Sequence, residues 1–310
     1  MSHDADVLIV GAGLAGACAA FVLSRDHDVH VLEAQQPGAG ASGAAAGLVN
    51  PFMGRRARPV WRLREALNAV STILAQADAA HLFPQRGVLR PVVEEDQEAP
   101  FREMAGEHPD LATWLSPSAA QEQFPGPSAE QGALWIPQGG AIDVRAMVEA
   151  LLKAARARGA VVETQAPVLY WREIPSAAVV EVDRGDGTEE LRADRALLTL
   201  GQGYPPFPEL RRLGLDGVKG QTVRVQRPSS LNGSFPPLSD GTNNLLCIDL
   251  SAHRRHVKGR PVPLLRANDI LTPVSSANPD FSFLRRPVQQ VGKILTGFRI
   301  RVHSHVFTST

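Results

Sequence analysis

The six residues Gly11-Ala12-Gly13-Leu14-Ala15-Gly16 restrict this chain more than any other stretch, because of what lies on each side of them. Val7-Leu8-Ile9-Val10 precedes them as a continuous apolar run of the kind that forms a strand buried on both faces of a parallel sheet. Ala15 to Leu23 follows as an Ala-rich helical stretch, and Val29-His30-Val31-Leu32 reads as a second strand closed by Glu33. Strand, glycine turn, helix and strand make a βαβ unit, and the G-x-G-x-x-G spacing carries physical meaning in that setting. The first glycine permits a tight turn, the second lets a pyrophosphate approach the backbone, and the third brings the helix onto the sheet. The helix N-terminus presents unpaired N–H groups to the anion. Glu33 stands about 20 residues past the turn, where a carboxylate accepts hydrogen bonds from ribose hydroxyls and disfavours a 2′-phosphate. The dinucleotide-binding candidates are therefore Gly11, Ala12, Gly13, Leu14, Ala15, Gly16, Glu33 and its neighbour Ala34.

Composition narrows the partner. With 32 basic and 32 acidic residues in 310, the chain has no net field to draw it to nucleic acid or anionic lipid, so a small-molecule partner is expected. Cys18 and Cys247 alone cannot form a disulfide framework, which agrees with a reducing compartment and a cytoplasmic protein. The opening apolar run is short and follows His3, Asp4 and Asp6, unlike a signal peptide, and no stretch approaches the roughly 18 apolar residues of a membrane span. His253, His256, His303 and His305 lack the spacing and the companion ligands of a metal site, and none is expected.

Further along, Pro37 to Gly47 is a run of Gly, Ala and Ser that reads as a loop. Helical spacing of Leu63, Leu67, Val70 and Leu74 predicts a helix over 62–82. The stretch 84–137 is poor in regular pattern. Asp143 offers an N-cap for a helix through Met147, Leu151 and Leu152 to Arg158, terminated by Gly159. Strands are expected at 160–163, 179–182 and 196–200, with a turn at Gly185-Asp186-Gly187. Beyond about Arg227 proline, serine and polar residues crowd the chain and strand alternation fades.

The segment Asp6 to Glu33, followed by Gly38-Ala39-Gly40-Ala41-Ser42-Gly43-Ala44-Ala45-Ala46-Gly47-Leu48, resembles the D-amino-acid oxidase type of FAD-dependent oxidoreductases, the superfamily that includes glycine and sarcosine oxidases. Ala45 to Gly54 with Arg55, Arg56 and Trp61 is similar to a bacterial branch carrying A-A-G-L-x-N-P-x-x-G-R-R. The resemblance implies FAD, with the Gly/Ala/Ser loop passing the pyrophosphate and running under the flavin, a role that falls here to Ala41, Ser42, Ala45, Gly47 and Leu48. Small side chains let the backbone approach a flat ring, and the Ser42 hydroxyl can donate to a phosphate oxygen. Val168 sits where the family contacts adenine through its backbone. Leu200-Gly201-Gln202-Gly203 resembles the turn closing a late Rossmann strand, and Gly139 to Asp143 and Lys219 to Gln221 resemble the passages between domains.

The implied fold is α/β, a Rossmann-type FAD-binding domain from residues 1–53 and 140–204 with an interleaved α+β mixed-sheet substrate domain from 54–139 and 205–295. Residues 296–310 form a remnant return segment toward the flavin. The implied activity is oxidation of a C–N bond of an amino acid or small amine, with hydride passing to flavin N5. Gly297-Phe298-Arg299 resembles the family's G-x-R, which makes Arg299 the implied partner of a substrate carboxylate. Arg299 and Arg301 also alternate with Phe298 and Ile300 as on any half-exposed strand. Arg55, Arg56, Arg58, Arg62 and Arg64 read as a contact for an acidic substrate or, preferred, as a solvated helix start. In the family a T-P-D-x-x-P-x-x-G stretch, a glycine-rich loop and a helix facing the flavin follow the G-x-R. Here Ile300 to Thr310 follows instead, so weaker FAD binding is expected, and a non-catalytic or truncated FAD-binding protein is a second reading. A third, a flavoprotein related to tRNA-modifying oxidoreductases, shares the loop, but the neutral charge balance offers no obvious RNA surface.

Overall fold

The computed structural model describes residues 3–203 apart from 46, 85–86 and 126–128, then 207–213 and 236–239, and the backbone of 245–247, 265–266 and 299–300. The opening apolar runs become β1 (Ala5–Val10) and β2 (Val29–Glu33), joined by α1 (Leu14–Leu23). The small-residue stretch is not wholly irregular, since it winds into one helical turn, α2 (Ala41–Ala44), before β3 (Leu48–Val49). A hairpin of β4 (Phe52–Met53) and β5 (Arg58–Pro59) precedes α3 (Leu63–Gln76). That helix is shorter than its periodicity predicts. Asp78, at φ 55°, interrupts it, and the chain resumes as a 3-10 turn at Ala80–Leu82.

The stretch that looked patternless holds β6 (Val88–Pro91), α4 (Glu98–Glu107), β7 (Thr113–Leu115), α5 (Pro117–Gln123) and β8 (Ala133–Ile136). Strands this short span too few residues to display a period of two, and they hold together only through pairing with segments distant in sequence. After β9 (Gly140–Ala141), α6 (Val144–Arg156) starts where Asp143 Oδ1 accepts the N–H of Ala146 at 3.0 Å, and Gly159 turns the chain at φ 101°. Then follow β10 (Val161–Thr164), β11 (Val168–Ile174), β12 (Ala177–Asp183), β13 (Thr188–Leu198), α7 (Pro208–Arg211), β14 (Leu238–Ser239), β15 (Leu245–Cys247), β16 (Leu265–Arg266) and β17 (Arg299–Ile300). The last four lie where alternation had faded. No helix among the described residues is long and apolar enough to cross a membrane.

The chain divides into two compact units. The first comprises Met1–Gly47, Ser71–Leu82 and Ile142–Gly220 and carries a six-stranded sheet in the order β10-β2-β1-β13-β12-β11. The pairs β10/β2, β2/β1 and β1/β13 are parallel, and β13, β12 and β11 continue as an antiparallel meander. Its apolar centre includes Leu8, Val10, Leu32, Val180, Val182, Leu191 and Ala193. Each fully buried aliphatic side chain contributes about 1.5–3 kcal/mol. Between β2 and β10, His30 Nε2 stands 2.8 Å from one oxygen of Glu163, while Arg184 donates to the other at 2.6 Å. Desolvation alone would raise the Glu163 pKa, but the Arg184 hydrogen bond, the His30 and Arg184 charges and the His30 hydrogen bond outweigh it and hold the carboxyl below its ordinary range.

The second unit comprises Leu48–Val70, Phe83–Ala141 and Gln221–Thr310, with a five-stranded sheet ordered β15-β14-β6-β8-β7. Phe52, Val88, Phe101, Leu134 and Ile136 anchor its core, each 0% exposed. Arg90 is also 0% exposed there, its guanidinium 4.9 Å from the centre of the Phe101 ring.

Candidate cofactor site at the glycine turn

In the first unit β1 lies between β2 and β13, so the chain leaves the carboxyl end of β1 with neighbours on both sides. Such a point in a parallel sheet opens a crevice outside the strand ends. The turn that enters it is bound on both flanks, by Gly11 N donating to Leu32 O at 2.8 Å and Thr199 N donating to Val10 O at 2.8 Å. Gly11 adopts φ 102°, and a Cβ there would stand 2.6 Å from the carbonyl oxygen of Thr199. At Gly16 a Cβ would lie 1.9 Å from Gly11 O, so the third glycine lets α1 descend onto the turn. Gly13 is the N-cap of α1 and brings no capping side chain. The N–H of Leu14 donates instead to Ser42 Oγ at 2.9 Å, and Gly38 N donates to Ala12 O at 3.0 Å. A Cβ on Gly13 would stand 3.1 Å from Ser42 Oγ. The small-residue loop is thus laid directly against the helix N-terminus.

Glu33 reaches the same place. Its Oε2 accepts the Ala12 N–H at 2.7 Å and its Oε1 accepts the Gln35 N–H at 2.9 Å. Ala166 N donates to Glu33 O at 3.0 Å, and Gln165, at φ 57°, donates from its side chain to Gln35 O at 3.1 Å. These bonds carry the chain to Val168, half-buried at the start of β11 opposite Val182. Ala15, Ala34, Ala41 and Ala45 are exposed around the turn and loop. Gly47 holds φ 72° beneath Ile142, whose N–H donates to Gly47 O at 2.8 Å. Gly201 opens a 3-10 turn at φ 56°.

Two candidates belong to the second unit. Leu48 pairs with Ala141 through β3 and β9. Arg299 is described as backbone only, opposite Arg266 in β17, and its side chain lies outside the described residues, as do Lys219 to Gln221. One contributor escaped the sequence reading. Thr199 Oγ1 lies 2.9 Å from Val10 O and 2.8 Å from Gly11 O, clamping the turn from β13. Its signal was present, a hydroxyl directly after the last strand and two residues before Gly201. Cys18 on α1 is a packing group, since burial pushes its thiol pKa up.

The donor set fits a dinucleotide diphosphate. The first turn of α1 supplies backbone N–H groups at the positive end of a helix dipole, with the Ser42 hydroxyl beside them. A carboxylate offers about four acceptor sites, and the Ala12 and Gln35 amides occupy two of those of Glu33, which leaves capacity for ribose hydroxyls. The sequence profile of the FAD dependent oxidoreductase (DAO) family matches residues 6–259. The chain belongs to that family. Family members are FAD-dependent. Among curated DAO relatives, the tRNA 5-methylaminomethyl-2-thiouridine biosynthesis bifunctional protein MnmC of Idiomarina loihiensis is 29% identical over 83% of this chain and 43% of its own length. Glycine oxidase of Geobacillus kaustophilus is 28% identical over 74% of this chain and 64% of its own. The chain therefore spans about half the length of these relatives. The crystal structure of the Geobacillus glycine oxidase superposes with a TM-score of 0.56 at 26% identity, covering 69% of this chain and 60% of that one.

Proposed function

We propose that this DAO chain oxidises a C–N bond of an amino acid or small amine. The observation that supports it best is the convergence of the Gly11–Gly16 turn, Ser42 and Glu33 at the carboxyl ends of β1 and β2, in a chain similar over most of its length to a glycine oxidase. The α1 amides and Ser42 hold the pyrophosphate, Glu33 holds the ribose, and the backbone before β11 near Val168 receives the adenine. Ala41, Ala45, Gly47 and Leu48 give the loop the small profile that a flat ring requires. Gly201 closes the strand end beside the turn. Arg299 is assigned to the substrate carboxylate on its G-x-R setting. FAD, when bound, supplies the electron sink for hydride removal, so the side chains are left to position substrate and exclude water.

The test is direct. Purified protein is heated, the released cofactor is identified by mass, and bleaching of the flavin absorbance is followed under a panel of amino acids and secondary amines. A colourless protein that refuses added FAD overturns the proposal. A second reading rests on the similarity to MnmC, whose name concerns tRNA 5-methylaminomethyl-2-thiouridine biosynthesis. An amine carried on tRNA is also a C–N substrate, and bleaching by tRNA but by no free amino acid would favour it.

A further inference from the structure

Only Arg62 and Arg64 of the basic cluster after residue 54 belong to a helix start. Arg55, Arg56 and Arg58 occupy the β4–β5 hairpin, whereas α3 begins only at Leu63. This hairpin is held with unusual firmness from below. Arg90, 0% exposed, donates to Phe52 O at 2.8 Å and to Gly54 O at 2.6 Å, and Gln97, also 0% exposed, donates to Arg55 O at 3.4 Å. Ala57 is fully buried at φ 53°, a left-handed conformation that a residue with a Cβ adopts only under constraint. Burying a guanidinium is expensive, and here its hydrogen bonds end on the hairpin carbonyls, which fixes the inner face of the tip while Arg55, Arg56 and Arg58 stand exposed.

The cations in this stretch divide into two sets. Arg55 pairs with Asp96, Arg62 with Glu65 and Arg64 with Asp110. Among the described residues no acidic group lies in ion-pair range of Arg56 or Arg58. These two line a concavity of about 410 Å³ with Met53, Gly54, Arg55 and Asp96. That volume falls within the range of small-molecule sites, roughly 300–1,000 Å³. Met53, 47% exposed, gives the concavity an apolar wall. Trp61, 85% exposed, stands beside the cluster with the Arg62 guanidinium 5.3 Å from its ring centre.

We propose that the β4–β5 hairpin is an anion-binding site, where Arg56 and Arg58 receive the carboxylate or phosphate group of a small organic acid whose carbon skeleton lies against Met53. Guanidinium forks match both oxyanions. Asp96 competes for the site by holding Arg55. The inference uses none of the residues assigned to the flavin or its substrate, and every residue in it lies in the second unit.

Calorimetric titration of the full chain with inorganic phosphate and, separately, with glutarate tests it and distinguishes the two sources. At least one probe binds, R56Q/R58Q weakens that binding tenfold or more while circular dichroism and flavin content stay unchanged, and D96N tightens it several-fold. The proposal is overturned if neither probe binds, if the double variant binds as well as the parent, or if D96N has no effect. Binding of a single-stranded RNA without binding of either small anion overturns it in favour of a nucleic-acid surface.

Discussion

The Glu33 carboxylate accepts the main-chain N–H of Ala12 at 2.7 Å, so the acid that closes the second strand reaches back across 21 residues to brace the turn after the first. One side chain therefore ties the end of the second strand to the glycine turn after the first. E33Q keeps the shape but loses the charge, and E33A loses both. A hydrogen bond to a charged group contributes about 1.5–3 kcal/mol, so FAD affinity is expected to fall about tenfold in E33Q and further in E33A. Fluorescence quenching during FAD titration measures it, and equal affinity in all three proteins would remove Glu33 from the site.

The glycines of the turn are unequal in a way that substitution will read. G16A meets Gly11 O at 1.9 Å and G11A meets Thr199 O at 2.6 Å from a left-handed backbone. Each is expected to destabilise by about 3 kcal/mol or more. Gly106, inside α4 with nothing within 4 Å, is the control, and G106A is expected to stabilise by about 0.5–1 kcal/mol. Denaturant midpoints report all three.

Thr199 serves the turn through its hydroxyl alone. T199V keeps the shape and removes the donor shared by Val10 O and Gly11 O, with an expected loss of about 1 kcal/mol, whereas T199S retains it. A valine variant as stable as the parent would show the clamp to be idle.

Arg90 underlies the hairpin as Thr199 underlies the turn. R90M fills similar volume but withdraws a donor from Phe52 O and Gly54 O, and about 2 kcal/mol or more of stability is expected to go with it. Anion titration of R90M at low temperature should also show weaker binding, because the tip is then no longer held.

Acid should loosen the β2–β10 edge. The Glu163 carboxyl titrates below its ordinary range in the folded chain, so its contribution is fully present above the ordinary glutamate value and is lost as pH falls through the folded one. The melting temperature of the parent should exceed that of E163Q near neutrality, and the gap should close in the acid range. A gap independent of pH would assign the difference to packing.

The parts of this molecule legible in the sequence are those whose determinants are local. β1, α1 and β2 announce themselves through unbroken apolar runs around fixed glycines, and α6 through the Asp143 cap and its apolar face. Glu33 was readable from spacing and Ser42 through the family resemblance, and both meet the turn in space. β13 was read at 196–200 only, whereas it runs Thr188–Leu198. Its first half, Thr-Glu-Glu-Leu-Arg-Ala-Asp-Arg, buries only Leu191 and Ala193, too little apolar content to outweigh the charges. The family resemblance implies a mixed sheet in the second unit, but no local pattern locates its strands, because they are two to four residues long and one centre of the core is an arginine. Arg90 reads as surface in any composition-based scheme, and only tertiary bonds to Phe52 and Gly54 explain its position.

The central place of β1 has a consequence for biosynthesis. Its partner on one side is made at once, but the other, Ala193–Leu198, leaves the ribosome some 165 residues after Glu33, on the order of ten seconds or more at ordinary elongation rates. Throughout that interval the nascent chain carries an apolar ribbon with an open flank, a target for chaperones and for unwanted pairing with its neighbours on the polysome.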